Sequence, residues 1–122
     1  MSEQTLISIV DDDESLCAAV SGLLRSYGYE TRSFASAEAF LASDGVVDSR
    51  CVITDIHMPG MSGIELKQAL VARQCEVPVI MITARKDPGV ESRALASGAV
   101  CLLKKPFECD ALMECVSRAL GS

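Results

Sequence analysis

The sequence contains five short apolar runs, and segments with helical periodicity separate them. This alternation is the feature that most restricts the possible folds. Three of the runs are nearly continuous hydrophobics, which is typical of strands covered on both faces. Regular alternation of strand and helix predicts one α/β domain, a doubly wound five-stranded parallel sheet with right-handed crossovers. The predicted strands are LISIV (6–10), the weaker YETRSF (29–34), CVITD (51–55), VPVIMIT (77–83) and AVCLLK (99–104).

Start and stop signals mark the helices between these runs. Ser62 and Glu65 form a capping box, and Asp87 followed by Pro88 marks the start of the next helix. This fourth predicted helix has a thin apolar face, so we expect it to be the least firmly docked. We also expect a cap at Ser36, helix ends at Gly28 and Gly98, a last helix over 108–120, and inward positions at Leu16, Val20, Leu23, Leu24, Tyr27, Val90, Ala94, Leu95, Leu112, Val116, Ala119 and Leu120.

Composition excludes several classes of protein. The net charge of −6 argues against nucleic-acid binding by this domain, because phosphate contacts need a basic surface. The six cysteines include no Cys-x-x-Cys pair, which favours reduced thiols in a cytoplasmic protein over disulfides or a zinc site. No run approaches the roughly 18 apolar residues of a membrane span, and no basic leader precedes the first run. We therefore expect a cytoplasmic domain without membrane contact.

Polar residues follow four of the predicted strands. In doubly wound sheets, ligands bind beyond the carboxyl ends of the strands, at the point where the strand order switches. If the order is 2-1-3-4-5, these residues share one edge, and the acidic ones flank the switch point between strands one and three. They are Asp11, Asp12, Asp13 and Glu14 after the first strand, Asp55 after the third, Thr83 after the fourth, and Lys104 and Lys105 after the fifth.

Each of these residues has an ordinary structural explanation when taken alone. The acidic run after the first strand could favour a helix N-terminus, and Asp55 could belong to a turn. Taken together, clustered carboxylates need a cation, and hard oxygen ligands select Mg²⁺ or a similar ion. A lysine and a threonine hydroxyl beside one carboxylate nucleophile would stabilise charge during phosphoryl transfer.

Four motifs, in this order and spacing, resemble the receiver domain of two-component response regulators over nearly the whole chain. They are IVDDD (9–13), ITDIHMPGMSG (53–63), VIMITA (79–84) and KKPF (104–107). The resemblance implies a flavodoxin-like receiver fold with strand order 2-1-3-4-5. The stretches FASAEAFL and DIHMPGMSG are similar to the FixJ-type subset, in which a LuxR-type DNA-binding domain normally follows the receiver.

The resemblance also implies roles for individual residues. Asp55 would accept the phosphoryl group from a sensor histidine kinase, and Lys105 would pair with it. Thr83 would move toward the phosphoryl group as the switch, and Ala84 would keep the approach open. The implied Mg²⁺ ligands are Asp12 and Asp55 directly, Asp11 through water, and the backbone carbonyl of His57.

Other residues near the site are expected to have structural or secondary roles. Asp13 is predicted to cap the first helix, and the side chain of His57 to face solvent. His57 and Arg85 would tune how fast water attacks the acyl phosphate. Leu102 stands where many receivers carry Tyr or Phe, so the aromatic half of the usual switch is missing, and repacking of the helix after Asp87 could replace it.

The expected function is a phosphorylation-driven signalling switch, with 1–122 as the receiver domain and the output domain absent from the chain. It would control transcription, self-phosphorylate and autodephosphorylate without turning over an external substrate, and pair into a phosphorylation-dependent homodimer. A stand-alone or degenerate receiver acting as a protein-interaction module is the alternative. Asp11-x-Asp13 also fits a haloacid dehalogenase-type phosphatase, which would need a later acidic motif after the lysine, and a flavodoxin-like electron carrier fits less well.

Overall fold

The computed structural model describes residues 5–121; residues 1–4 and 122 of the predicted domain lie outside this described part. Five strands and six helices follow one another along these residues. The strands are β1 (Leu6–Val10), β2 (Glu30–Phe34), β3 (Cys51–Asp55), β4 (Val79–Thr83) and β5 (Cys101–Lys104). The helices are α1 (Glu14–Ser26), α2 (Ala37–Leu41), α3 (Gly45–Asp48), α4 (Gly63–Ala72), α5 (Pro88–Ala96) and α6 (Cys109–Ala119).

The strands form one parallel sheet in the order β2-β1-β3-β4-β5, which confirms the predicted fold class and strand order. β1, β3 and β4 are buried at every position, as their continuous apolar runs predict. β2 lies at an edge and is partly exposed, which explains its weaker apolar signal. The sheet reverses its order at β1 and β3, so the carboxyl ends of these two strands define the switch point.

Two hydrophobic cores lie on opposite faces of the sheet. On one face, α1 and α6 pack on side chains such as Ile9, Ile53 and Ile82. On the other, α2, α4 and α5 pack on the alternate positions, such as Val52 and Met81. Because side chains of a strand point alternately to the two faces, each central strand supplies both cores. None of the helices in residues 5–121 is long and apolar enough to cross a membrane.

The predicted helix signals are observed at the expected residues. Ser62 and Glu65 form the reciprocal capping box of α4, Ser36 caps α2, and Asp87 caps α5 with Pro88 following. Gly28 and Gly98 follow α1 and α5 with φ of +93° and +101°, in the left-handed region that ends helices. In α6, Leu112 and Val116 are buried, and Ala119 and Leu120 pack partly buried against the same core.

Two predicted core positions are wrong. Tyr27 is 56% exposed, because α1 ends at Ser26 and Tyr27 caps it with non-helical dihedral angles that turn it off the buried face. Leu95 is 55% exposed, because Val90 and Ala94, four residues apart, already face the sheet. Leu95 lies one residue further round the helix. The thin face of α5 is therefore narrower than expected.

The chain also departs from the predicted boundaries. A short helix, α3, directly follows α2 and was not predicted. It has only four residues, which are too few to show a helical periodicity. β4 begins at Val79 rather than Val77, after Pro78, which cannot donate a backbone hydrogen bond to a neighbouring strand. β5 begins at Cys101 rather than Ala99. None of these shifts moves a strand's carboxyl end.

Candidate acidic site at the carboxyl edge of the sheet

The fold brings the four polar strand ends to one edge. Asp11 follows β1, Asp55 ends β3, and the two strands pair directly, with Val10 opposite Thr54. Thr83 ends β4 and lies opposite Lys104 of β5, so Lys105 follows at the same level. The predicted placement of these residues on a common edge is confirmed.

Three carboxylates meet at the switch point. One carboxylate oxygen from each of Asp11, Asp12 and Asp55 lies within 4.8 Å of the others. Asp11 and Asp55 are 2% and 7% exposed, whereas Asp12 is exposed. Burial raises the pKa of Asp11 above its usual range, and the nearby charge of Asp55 adds to the effect. The cluster thus stores unfavourable negative charge, which a cation would relieve.

Part of this cost is offset by neighbouring donors. The backbone N–H of Asp13 donates to Oδ1 of Asp11 at 2.9 Å. Nζ of Lys105 lies 3.4 Å from Oδ2 of Asp11 and 3.6 Å from Oδ2 of Asp55. The preceding Lys104 extends instead to Glu91 on α5, at 3.2 Å. Of these two lysines, Lys105 is therefore the one directed at the carboxylates.

Asp13 caps α1, as predicted, and contributes through its backbone rather than its side chain. Its Oδ1 accepts hydrogen bonds from the backbone N–H groups of Ser15 and Leu16, at 2.9 and 3.2 Å. The side chain is thereby committed to the N-terminus of the helix. The Asp11-x-Asp13 pattern does not present two side chains to one site.

Thr83 is fully buried, and its hydroxyl group is engaged with the following loop. The backbone N–H of Arg85 donates to Oγ1 of Thr83 at 3.1 Å, and Oγ1 lies 3.3 Å from the carbonyl oxygen of Arg85. Ala84 and Arg85 are exposed. A threonine hydroxyl that moved toward a ligand on Asp55 would have to release Arg85.

His57 is not solvent-facing, so that expectation is wrong. Its side chain is half-buried, and its Nε2 is buried without a hydrogen-bond partner among residues 5–121. It lines a cavity of about 580 Å³ between α4 and α5, with Gln68 and Arg93 among the other lining residues. The turn after β3 places the ring at this cavity, and the sequence of the loop alone does not show that placement.

The loop from Ile56 to Ser62 folds back tightly after Asp55. The backbone N–H of Gly63 donates to the carbonyl oxygen of Ile56 at 3.0 Å. A Cβ at Gly63 would lie 2.5 Å from the carbonyl oxygen of Asp55, so only glycine fits there without displacing the backbone. Glu38 of α2 reaches the other end of the loop, a contact that sequence reasoning missed.

Leu102 lies on β5 opposite Met81 and packs, partly buried, against the core shared with α5. The position that differs from many receivers is thus an aliphatic contact with the core under α5. α5 itself contributes only Val90 and Ala94 as buried residues. Among α4, α5 and α6, it is the one helix without a buried leucine, so it docks through the smallest side chains.

A parallel α/β domain with an acidic cluster and a lysine at its switch point defines the class, and comparison with known proteins identifies the family. Residues 7–117 match the response regulator receiver domain. The chain is 36% identical to the transcriptional regulatory protein FixJ of Azorhizobium caulinodans over 99% of its length, and 35% identical to the response regulator protein TmoT of Ectopseudomonas mendocina over 97%. The chain spans 57% and 54% of those two proteins.

Solved structures agree with this comparison. The crystal structure of FixJ-N superposes with a TM-score of 0.87 at 35% identity and covers 98% of this chain and 95% of that one. The response regulator StyR gives a TM-score of 0.89 at 38% identity, covering 97% of this chain and 60% of that one. The chain belongs to the response regulator receiver family.

Proposed function

We propose that this domain is a signalling switch in which Asp55 accepts a phosphoryl group from the phosphohistidine of a sensor histidine kinase. The observation that carries the proposal is the placement of Asp55, a nearly buried carboxylate with Lys105 Nζ at 3.6 Å and two further carboxylates within reach. Membership of the receiver family supports it. Electrostatic stabilisation by fixed charges is the main catalytic contribution that such a site can make.

The residues present fit a divalent cation. Asp12 and Asp55 would ligate Mg²⁺ directly, with the backbone carbonyl of His57, and Asp11 would act through water. All these donors are hard oxygens. Burial, with a smaller contribution from the charge of Asp55, raises the pKa of Asp11, so a cation would stabilise the ionised cluster. When bound, Mg²⁺ would neutralise charge on the transferred phosphoryl oxygens.

In the proposed step, a carboxylate oxygen of Asp55 attacks phosphorus, a P–O bond forms, and the P–N bond to the kinase histidine breaks. The leaving imidazole keeps the electron pair and takes up a proton. Lys105 then pairs with the phosphoryl group, and Ala84 leaves its approach open. Attack of water on phosphorus later restores the Asp55 carboxylate and releases inorganic phosphate. His57 and Arg85, two residues beyond Asp55 and Thr83, tune the rate of this step.

The proposed switch starts at Thr83. Its hydroxyl exchanges the backbone of Arg85 for a phosphoryl oxygen, which pulls on the segment that leads into α5. Because Leu102 supplies no aromatic ring, repacking of α5 over Leu102 carries the change to the α5-β5-α6 face. α5 and β5 of this face would form the phosphorylation-dependent homodimer.

FixJ and TmoT are named as regulators, FixJ as a transcriptional one, and this chain matches little more than half of each. We therefore propose that the domain controls transcription through an output domain outside residues 1–122. We also propose that it works in the cytoplasm. The alternative is a stand-alone or degenerate receiver that acts through protein contacts. The acidic cluster with Lys105 favours an active switch.

Intact-mass measurement after incubation with acetyl phosphate tests the phosphoacceptor. The parent protein should gain one phosphoryl group only when Mg²⁺ is present, and Asp55→Asn should gain none. Asp44→Asn, at an exposed position before α3, is the matched control and should behave as the parent. No adduct in the parent would support the degenerate receiver, and sustained turnover of a free phosphate ester would support a phosphatase.

A further inference from the structure

Glu38 connects α2 to the loop that follows the proposed phosphoacceptor. Its Oε2 accepts a hydrogen bond from the backbone N–H of Met61 at 3.2 Å, across 23 residues of sequence. Among residues 5–121, this is the one hydrogen bond that another element makes to the backbone of 57–61. Glu38 therefore supplies the hydrogen bond that attaches the tip of the loop, in addition to the packing of Met58 and Met61 against the core.

The local backbone is shaped to admit this carboxylate. Gly60 has φ of +79°, and a Cβ at this position would lie 2.6 Å from Oε2 of Glu38. A side chain at residue 60 would displace the carboxylate, which is the free end of a flexible side chain. Glycine at residue 60 thus leaves room for the Glu38 carboxylate that accepts the hydrogen bond from Met61.

The base of Glu38 is held firmly although its carboxylate is exposed. Ser36 caps α2, and Ala37 and Phe40 of the same helix are completely buried. The ring of Phe40 also packs edge-on against Phe34 of β2, with centroids 5.4 Å apart. Glu38 is therefore presented to the loop from a fixed position.

Two hydrogen bonds hold the backbone of the loop, and His57 lies between them. The hydrogen bond from Gly63 to Ile56 closes its base, and Glu38 holds its tip. We propose that Glu38 is a positioning residue that holds the 57–61 backbone so that the His57 carbonyl oxygen is directed at the cation site. This inference rests on one part of the proposed function, the Mg²⁺ site in which that carbonyl is a ligand, and not on phosphorylation of Asp55. Residues that orient metal ligands strongly affect metal affinity.

Two variants separate the hydrogen bond from the charge. Glu38→Ala removes the acceptor and should weaken Mg²⁺ binding about 10-fold, measured by calorimetric titration. Glu38→Gln loses the charge but keeps an acceptor oxygen, so it should bind Mg²⁺ as the parent does. Phosphorylation of Glu38→Ala by acetyl phosphate should be slow at limiting Mg²⁺ and return to the parental rate at saturating Mg²⁺.

An amide spectrum without Mg²⁺ reports the contact itself. The Met61 amide resonance should move in Glu38→Ala and stay near its parental position in Glu38→Gln. Mg²⁺ affinity in Glu38→Ala equal to that of the parent would overturn the inference alone, as would an equal loss in both variants, which would indicate charge rather than position. A parent protein that binds Mg²⁺ but is not phosphorylated would overturn the proposed function and leave the inference standing.

Discussion

Nζ of Lys105 lies 3.6 Å from Oδ2 of Asp55, whereas the neighbouring Lys104 points away and pairs with Glu91. Successive residues at the end of a strand project to opposite sides, so only one of two adjacent lysines can reach the acidic cluster. The pair provides a natural comparison between a cation at the site and a cation at the surface.

Lys105→Met should slow phosphorylation of Asp55 by acetyl phosphate about 100-fold, because it removes a fixed positive charge from the developing phosphoryl charge. Lys104→Met is the control and should retain the parental rate, since it breaks only a surface ion pair. Time courses of intact mass measure both rates. Equal rates in the two variants would show that Lys105 does not assist the transfer.

Thr83→Ala should still be phosphorylated on Asp55, but phosphorylation should no longer alter the conformation of the segment that leads into α5. In the parent, beryllofluoride with Mg²⁺ should shift the Arg85 amide resonance, because the Thr83 hydroxyl leaves the Arg85 N–H. Without that hydroxyl the shift should be lost, and Thr83→Ser should restore it. A shift in Thr83→Ala as large as in the parent would place the switch elsewhere.

The positions of Asp11, Asp55, Thr83 and Lys105 could be predicted because they depend only on strand order. Parallel strands end at the same edge, so the polar residues after the apolar runs lie along that edge. The capping box at Ser62 could also be predicted, because it depends only on Ser62 and Glu65, three residues apart in the sequence.

Features that depend on the path of a loop could not be predicted. The burial of His57 and the contact of Met61 with Glu38 depend on the turn after Asp55, and no periodicity describes that turn. Tyr27 was misplaced for a related reason, since one residue at the end of a helix decides whether the side chain continues the buried face or leaves it. The sequence thus specifies which strand ends meet, and the fold decides which side chains support them.

Asp12→Asn should have opposite effects on stability without and with Mg²⁺. Asp12 is exposed and lies within 4.8 Å of two other carboxylates, a separation at which two like charges repel by about 1 kcal/mol even at the dielectric constant of water. Without Mg²⁺, the variant should therefore have a higher free energy of unfolding than the parent. With Mg²⁺, the parent should gain more stability, because a bound ligand stabilises the folded state that holds it.

Urea unfolding with and without Mg²⁺ measures this reversal. Asp44→Asn removes one negative charge at a position outside the cluster. Its free energy of unfolding relative to the parent should not change sign when Mg²⁺ is added. If Asp12→Asn and Asp44→Asn respond alike to Mg²⁺, Asp12 is not a ligand.

The stability of the fold should fall at alkaline pH through its buried thiols. Cys51 is completely buried in β3, and burial raises its pKa from 9.0 to about 12. Between these values the folded protein keeps the thiol proton while the unfolded chain releases it, so stability decreases as pH rises by up to about 1.4 kcal/mol per pH unit. In Cys51→Ala the free energy of unfolding should fall less steeply above pH 9.0 than in the parent. Cys109→Ala, at an exposed thiol, should keep the parental slope, and equal slopes in the two variants would show that Cys51 is not the group responsible.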